Sequence, residues 1–142
     1  MIKSVMLGEA LSISAKNKVG LLADISKMLA DHGVNIESAL GYESGGTAKL
    51  MIVTSANLVI INELKKKKYK SIEESEVVIV ELDNKPGALK VVTTELKNAG
   101  VDIRYLCITS SSSSREGSKM VIQTSDNEET MALLSKYINP KE

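Results

Sequence analysis

The chain repeats itself, and no other feature limits its possible folds as much. Asn17-Lys18-Val19-Gly20-Leu21-Leu22 returns as Asn84-Lys85-Pro86-Gly87-Ala88-Leu89, an offset of 67 residues. The same offset pairs Glu9 with Glu76, Leu29 with Leu96, Gly33 with Gly100, Val34 with Val101 and Ile36 with Ile103, without a gap. Farther on, Lys49 to Ser55 matches Lys119 to Ser125 at an offset of 70, so the second copy has gained three residues. The Ser-rich stretch Ser110 to Ser114 is the natural place for them. A run that keeps Gly, Asn and apolar positions in register is the mark of a duplication, and a duplicated chain folds as like units.

Each copy reads as the same string of elements. In the first, Ala10 to Ala15 is strand-like and Asn17 to Gly20 is a turn. Leu21, Leu22, Ile25, Met28 and Leu29 then fall on one helical face. Gly33 ends that helix. Val34 to Tyr42 and Lys49 to Thr54 are strands around a Gly45-Gly46 hairpin turn. Leu58, Ile61 and Leu64 form a second helical face, and Tyr69 to Glu74 a short fourth strand. In the second copy Val77 to Leu82 is a strand, Pro86-Gly87 opens a helix and Gly100 closes it. Val101 to Thr109 and Lys119 to Thr124 are strands, and Ser125 with Glu128 reads as a capping box for a last helix. The expected fold is α+β: two ferredoxin-like βαββαβ sandwiches in tandem, with antiparallel sheets and helices on one face. The expected domains are residues 1–74, with an extra N-terminal segment 1–8, and residues 75–142. The second lacks its own fourth strand, and Ile2 to Leu7 is the segment available to fill that edge, within the chain or from a partner.

Composition excludes several classes of function. Lys and Arg number 18, as do Asp and Glu, and Trp and Phe are absent. A neutral chain lacks the basic surface that nucleic acid demands. The central strands of the first copy carry no aromatic residue for base stacking. One cysteine, Cys107, rules out a disulfide framework. No apolar run is long enough to span a membrane, and the N-terminal apolar stretch is too short for a signal peptide. The expectation is a cytoplasmic protein. With one His and only Arg104 and Arg115 as arginines, neither a nucleophilic triad nor an anion-binding arginine in a first turn is available, so the chain reads as non-catalytic.

The turn between first strand and first helix is the most specific element. Gly permits positive φ or close backbone approach. The helix behind it starts with unpaired N–H groups and the positive end of its dipole, a place for a carboxylate. Asn17 and Asn84 add an amide that both donates and accepts. Fifteen residues after each Gly stands a second polar side chain, Asn35 or Asp102. Backbone donors with amide and carboxylate acceptors suit a zwitterion, although Asn and Gly also serve ordinary turns.

A strand, then Asn84-Lys85-Pro86-Gly87-Ala88-Leu89, then a helix ending in Asn98-Ala99-Gly100-Val101-Asp102-Ile103, resembles the ACT domain. Gly33 to Ser38 is also similar to the corresponding piece of acetolactate synthase regulatory subunits. The resemblance covers nearly the whole chain as two copies, like the short stand-alone tandem ACT proteins. It implies a regulatory module that binds an amino acid, commonly where paired domains meet, without a cofactor. The implied ligand positions are Asn17, Val19, Gly20, Leu21 and Asn35 in the first copy. In the second they are Asn84, Pro86, Gly87, Ala88 and Asp102. Val19 departs from the family's Pro, and Ala15 and Leu82 stand where some members carry His. The implied partners are the amino acid, a second copy in a homodimer and a metabolic enzyme. The alternative is a subunit that docks on an enzyme without a ligand of its own.

Other residues have ordinary readings. Lys65 to Lys68 is a solvated helix end favoured by the dipole. His32 sits at a helix C-terminus, where a cation is welcome, Cys107 reads as a small core residue, and Ser110 to Ser114 as a hairpin loop.

Overall fold

The computed structural model describes residues 1–110 and 117–138. Residues 111–116 and 139–142, which include most of the expected Ser-rich loop, lie outside the described residues. The element order is β1 (Ile2–Lys16), α1 (Leu21–Asp31), β2 (Ile36–Ser44), β3 (Thr47–Thr54), α2 (Asn57–Lys66), β4 (Ser71–Leu82), α3 (Ala88–Asn98), β5 (Ile103–Ser110), β6 (Ser118–Thr124) and α4 (Asn127–Ser135). The fold is α+β, with antiparallel pairing of β1 with β3, β2 with β3, β4 with β6 and β5 with β6.

Two compact units divide the chain: Glu9–Ser75, and Met1–Gly8 together with Glu76–Glu142. In the first the strand order is β2-β3-β1-β4, and in the second β5-β6-β4-β1. The N-terminal segment thus stands where the second unit has no fourth strand of its own, and that unit is a circular permutation of the βαββαβ order. The sequence reading placed residues 1–8 with the first unit. They group with the second because Ile2, only 2% exposed, joins Val80 and Leu82 in its core. Asp83 N–H donates to the Met1 carbonyl at 2.9 Å, and Ile2 bridges Ile138. Gly8 has no room for a side chain: a Cβ there would lie 2.6 Å from Ile79 Cδ1.

Other boundaries also shift. Tyr69 to Glu74 and Val77 to Leu82 are not separate strands; no Gly or Pro interrupts Ser71–Leu82, which runs as one. The first strand begins at Ile2, not Ala10. Ser125 does not cap α4. Asp126 does, accepting from Glu129 N–H at 3.0 Å, while Ser125 Oγ accepts from Asp102 N–H at 2.9 Å. Cys107 is half-buried rather than a core residue. Gly45 and Gly46 have φ of 58° and 83°, the paired positive values of a two-residue hairpin turn.

Each unit has its own core. In Glu9–Ser75, Leu11, Ile13 and Ile52 from the sheet meet Ile25, Leu29 and Ile60 from the helices. In the other unit Val78, Val80 and Ile122 meet Val92, Leu96 and Leu134. The same polar clamp joins strand to helix in each. Asn57 Oδ1 accepts from Thr54 N–H at 3.2 Å and from the Thr54 hydroxyl at 2.6 Å, while its amide donates to the Glu9 carbonyl at 3.1 Å. Asn127 makes the matching bonds to Thr124 and to the Glu76 carbonyl.

Candidate ligand-binding cleft

The turn between β1 and α1 is held by its own backbone. Asn17 N–H donates to the Gly46 carbonyl at 2.9 Å, and Leu21 N–H to the Lys18 carbonyl at 3.3 Å. Gly20, with φ 89° and ψ 0°, is the N-cap; with no Cβ it adopts this left-handed conformation without strain. No side chain caps the helix. Helix geometry leaves the next N–H groups, those of Leu22 and Ala23, without an intrahelical acceptor.

Those residues open on a cleft of about 510 Å³. Its sheet side follows from register. Ala15 is opposite Ala48, which is opposite Glu43; Ile13 is opposite Leu50, which is opposite Gly41. Side chains two apart share a face, so these two rows present one surface, shared with the Ile13 that packs in the α1 core. Ala15, Ala39, Gly41 and Ala48 are all small, and they leave space beneath the first turn of α1. Polar groups ring it. Asn17 lines it, as do Lys18, whose ammonium lies 3.3 Å from Asp24, and Glu43, whose carboxylate accepts from Gly46 N–H at 2.7 Å. The volume falls in the range of small-molecule sites.

The structure brings Asn17, Gly20 and Leu21 together here. Val19 stands fully exposed and outside the lining. Asn35 lies beyond the other end of α1, roughly 16 Å of helix away at 1.5 Å per residue. Its backbone N–H is bonded to Ser55 Oγ at 3.0 Å. Asp102 is placed likewise behind α3, its carboxylate 3.9 Å from Arg104 Nε. The second turn repeats the backbone of the first. Gly87 is the uncapped N-cap of α3 with φ 90° and ψ −11°, and Ala88 N–H donates to the Lys85 carbonyl at 3.3 Å. Asn84 and Pro86 are exposed there, while Ala88 is buried at 5%. The sequence reading missed Ala39, Gly41, Glu43 and Ala48. The signal for Ala39 and Gly41 is an alternation of small residues in β2, which is easily taken for strand filler, and Glu43 and Ala48 carry none.

Comparison with known proteins finds the same βαββαβ order. Residues 10–73 match the ACT domain family. The fold is similar to the crystal structure of protein BT0572 from Bacteroides thetaiotaomicron, at 25% identity and TM-score 0.84, over 93% of this chain and 89% of that one. It is also similar to the ligand-free regulatory subunit of aspartate kinase from Thermus thermophilus, at 15% identity and TM-score 0.67, over 97% and 99% of the two chains. A structure of aspartokinase alpha and beta subunits matches at 14% identity and TM-score 0.67, over 96% and 97%. No curated protein sequence matches this chain. Among the described residues, no helix is long and apolar enough to cross a membrane.

Proposed function

We propose that this protein is a non-catalytic regulator built of two ACT-type units, and that the cleft beneath α1 binds a free amino acid. One observation carries the reading: the uncapped N-terminus of α1, with Gly20 in the left-handed conformation, opens onto a cleft that also holds Asn17 and Glu43. The ligand carboxylate takes the N–H groups of Leu22 and Ala23, where the helix dipole favours an anion. The ligand ammonium takes Glu43 and the Asn17 amide oxygen. The small residues Ala15, Ala39 and Ala48 leave room for its side chain. The turn at Asn84, Pro86, Gly87 and Ala88 repeats the same backbone and is the proposed second site. Support comes from the ACT match over residues 10–73 and from a fold shared with an aspartate kinase regulatory subunit.

A partner is part of the proposal. β2 is an edge strand carrying the exposed Leu40 and Tyr42, 37% and 59% accessible. An edge of that kind pairs readily with a second copy or with a regulated enzyme. A thermal-shift screen against the twenty amino acids tests the sensing role. A ligand at 100 times its dissociation constant stabilises the native state by about 2.7 kcal/mol. The expected result is a selective shift lost in Ala39→Leu, which fills the cleft. A flat panel would leave the docking-subunit reading in its place.

A further inference from the structure

On the other side of the same turn lies a larger cleft, of about 700 Å³, with a different chemistry. Six lysines line it: Lys16, Lys18, Lys27, Lys67, Lys68 and Lys70. Lys18 is paired with Asp24 and Lys27 with Asp31. The other four make no ion pair among the described residues. Because the whole chain is neutral, this excess of positive charge is local.

A helix end does not account for it. The dipole of α2 favours cations in its last turn, but Lys16 belongs to β1 and Lys70 to the link into β4, and neither is on that helix. Lys68 also carries a conformational cost. It is the only non-Gly residue with positive φ among those described, at 67°. It ends α2 in a Schellman motif, with Lys68 N–H bonded to the Lys65 carbonyl and Tyr69 N–H to the Leu64 carbonyl. At the same station α1 has Gly33 and α3 has Gly100, with φ of 67° and 70°. Backbone strain held at one position, where glycine would serve the turn better, is a mark of functional sites.

We infer that this lysine-lined cleft binds a compact multivalent oxyanion, a di- or triphosphate, whether inorganic or carried by a nucleotide. Four lysines without an ion-pair partner line one open cleft, and a ligand with three or four charges offsets the repulsion among them at short range. A singly charged metabolite would leave most of it. The inference stands apart from the amino-acid site, although Ala15, Lys18 and Leu21 line both clefts.

The test is calorimetric titration of the full chain with inorganic tripolyphosphate, ATP, adenosine and a long heparin fragment, at low and at high salt. One tripolyphosphate should bind per chain, weakened by salt. Lys67→Ala combined with Lys70→Ala should weaken it by about tenfold or more. Asp31→Asn removes a carboxylate from the rim and should tighten it. Lys68→Gly should weaken it while raising the melting temperature, a split that loss of folding cannot produce. Lys90→Ala with Lys97→Ala, on α3, should change nothing. ATP binding as tightly as tripolyphosphate, with adenosine silent, would mean the phosphates alone are read; ATP binding more tightly would point to a nucleotide. No heat from any phosphate, equal loss in the α3 control, or heparin binding tightly where tripolyphosphate does not would each overturn the inference. Asn17→Ala should leave tripolyphosphate binding intact, so failure of the amino-acid reading does not carry this one with it.

Discussion

Ile2→Ala tests whether the N-terminal segment is a working part of the second unit. A side chain this near a terminus would ordinarily fray and cost nothing to truncate. Here it is 2% exposed and belongs to the core cluster that holds Val78, Val80, Leu82 and Met120. It is flanked by the bond from Asp83 N–H to the Met1 carbonyl and by the bridge to Ile138. Truncation to Ala removes three carbons, or about 2.4 kcal/mol at about 0.8 kcal/mol per buried methylene. A cavity term raises this toward 3 kcal/mol, inside the roughly 2–5 kcal/mol range of Ile→Ala in cores. Leu7 lies in the same strand and is 43% exposed, so Leu7→Ala is the internal control, expected within about 0.5 kcal/mol of wild type. Urea unfolding should show a lowered midpoint for Ile2→Ala with little change in slope. If Ile2→Ala matched Leu7→Ala, the segment would be frayed in solution and the second unit would lack its fourth strand.

Asn57→Ala leaves the Thr54 hydroxyl without its acceptor and the Glu9 carbonyl without the Asn57 amide, and should cost about 2–3 kcal/mol by urea unfolding. Asn127→Ala should cost less, because the Thr124 hydroxyl keeps Thr130 Oγ1 and the Glu76 carbonyl keeps the Gln123 amide. Lys68→Gly relieves a left-handed residue and should stabilise the protein by about 1 kcal/mol, a rise of a few degrees in melting temperature by calorimetry. The Tyr137 hydroxyl donates to the Glu95 carboxylate, and that bond first, then burial, holds the phenol above the ordinary tyrosine value. A raised folded value means the contribution is complete below the unfolded pKa and is lost as pH climbs through the folded one. Phenolate absorbance should therefore show a late-titrating component that is lost in Tyr137→Phe.

The parts legible in the sequence were those with a cheap physical signature. Gly20, Gly33, Gly87 and Gly100 all take positive φ, which other residues reach only at a cost, so helix starts and stops could be read from glycine. The period of apolar residues located the buried Ile25, Met28 and Leu29 of α1, whereas Leu22, read as part of the same face, is 58% exposed. The extension of β1 to Ile2 was less visible, because it depends on long-range contacts with Val80 and Leu82. The fused strand Ser71–Leu82 was hidden by its own polar middle, Glu73 to Glu76. The repeated Thr-Ser-x-Asn at residues 54–57 and 124–127 was present as a pattern, yet its meaning is a clamp onto the carbonyls of Glu9 and Glu76, which only the fold brings near. The cleft was least legible. Ala39, Gly41 and Ala48 mark it by what they do not fill, and Lys68 takes a glycine's conformation with a side chain that gives no sign of it.

The proposed function puts a free amino acid against the first turn of α1. Backbone amide spectra of the ¹⁵N-labelled protein, recorded with each of the twenty amino acids, test it residue by residue. One ligand, or a small related group, should move the amide signals of Gly20, Leu22 and Ala23 together with those of Gly41 and Glu43, and Ala39→Leu should abolish the response. Spectra unchanged by every amino acid, or changes confined to residues far from that turn, would contradict it.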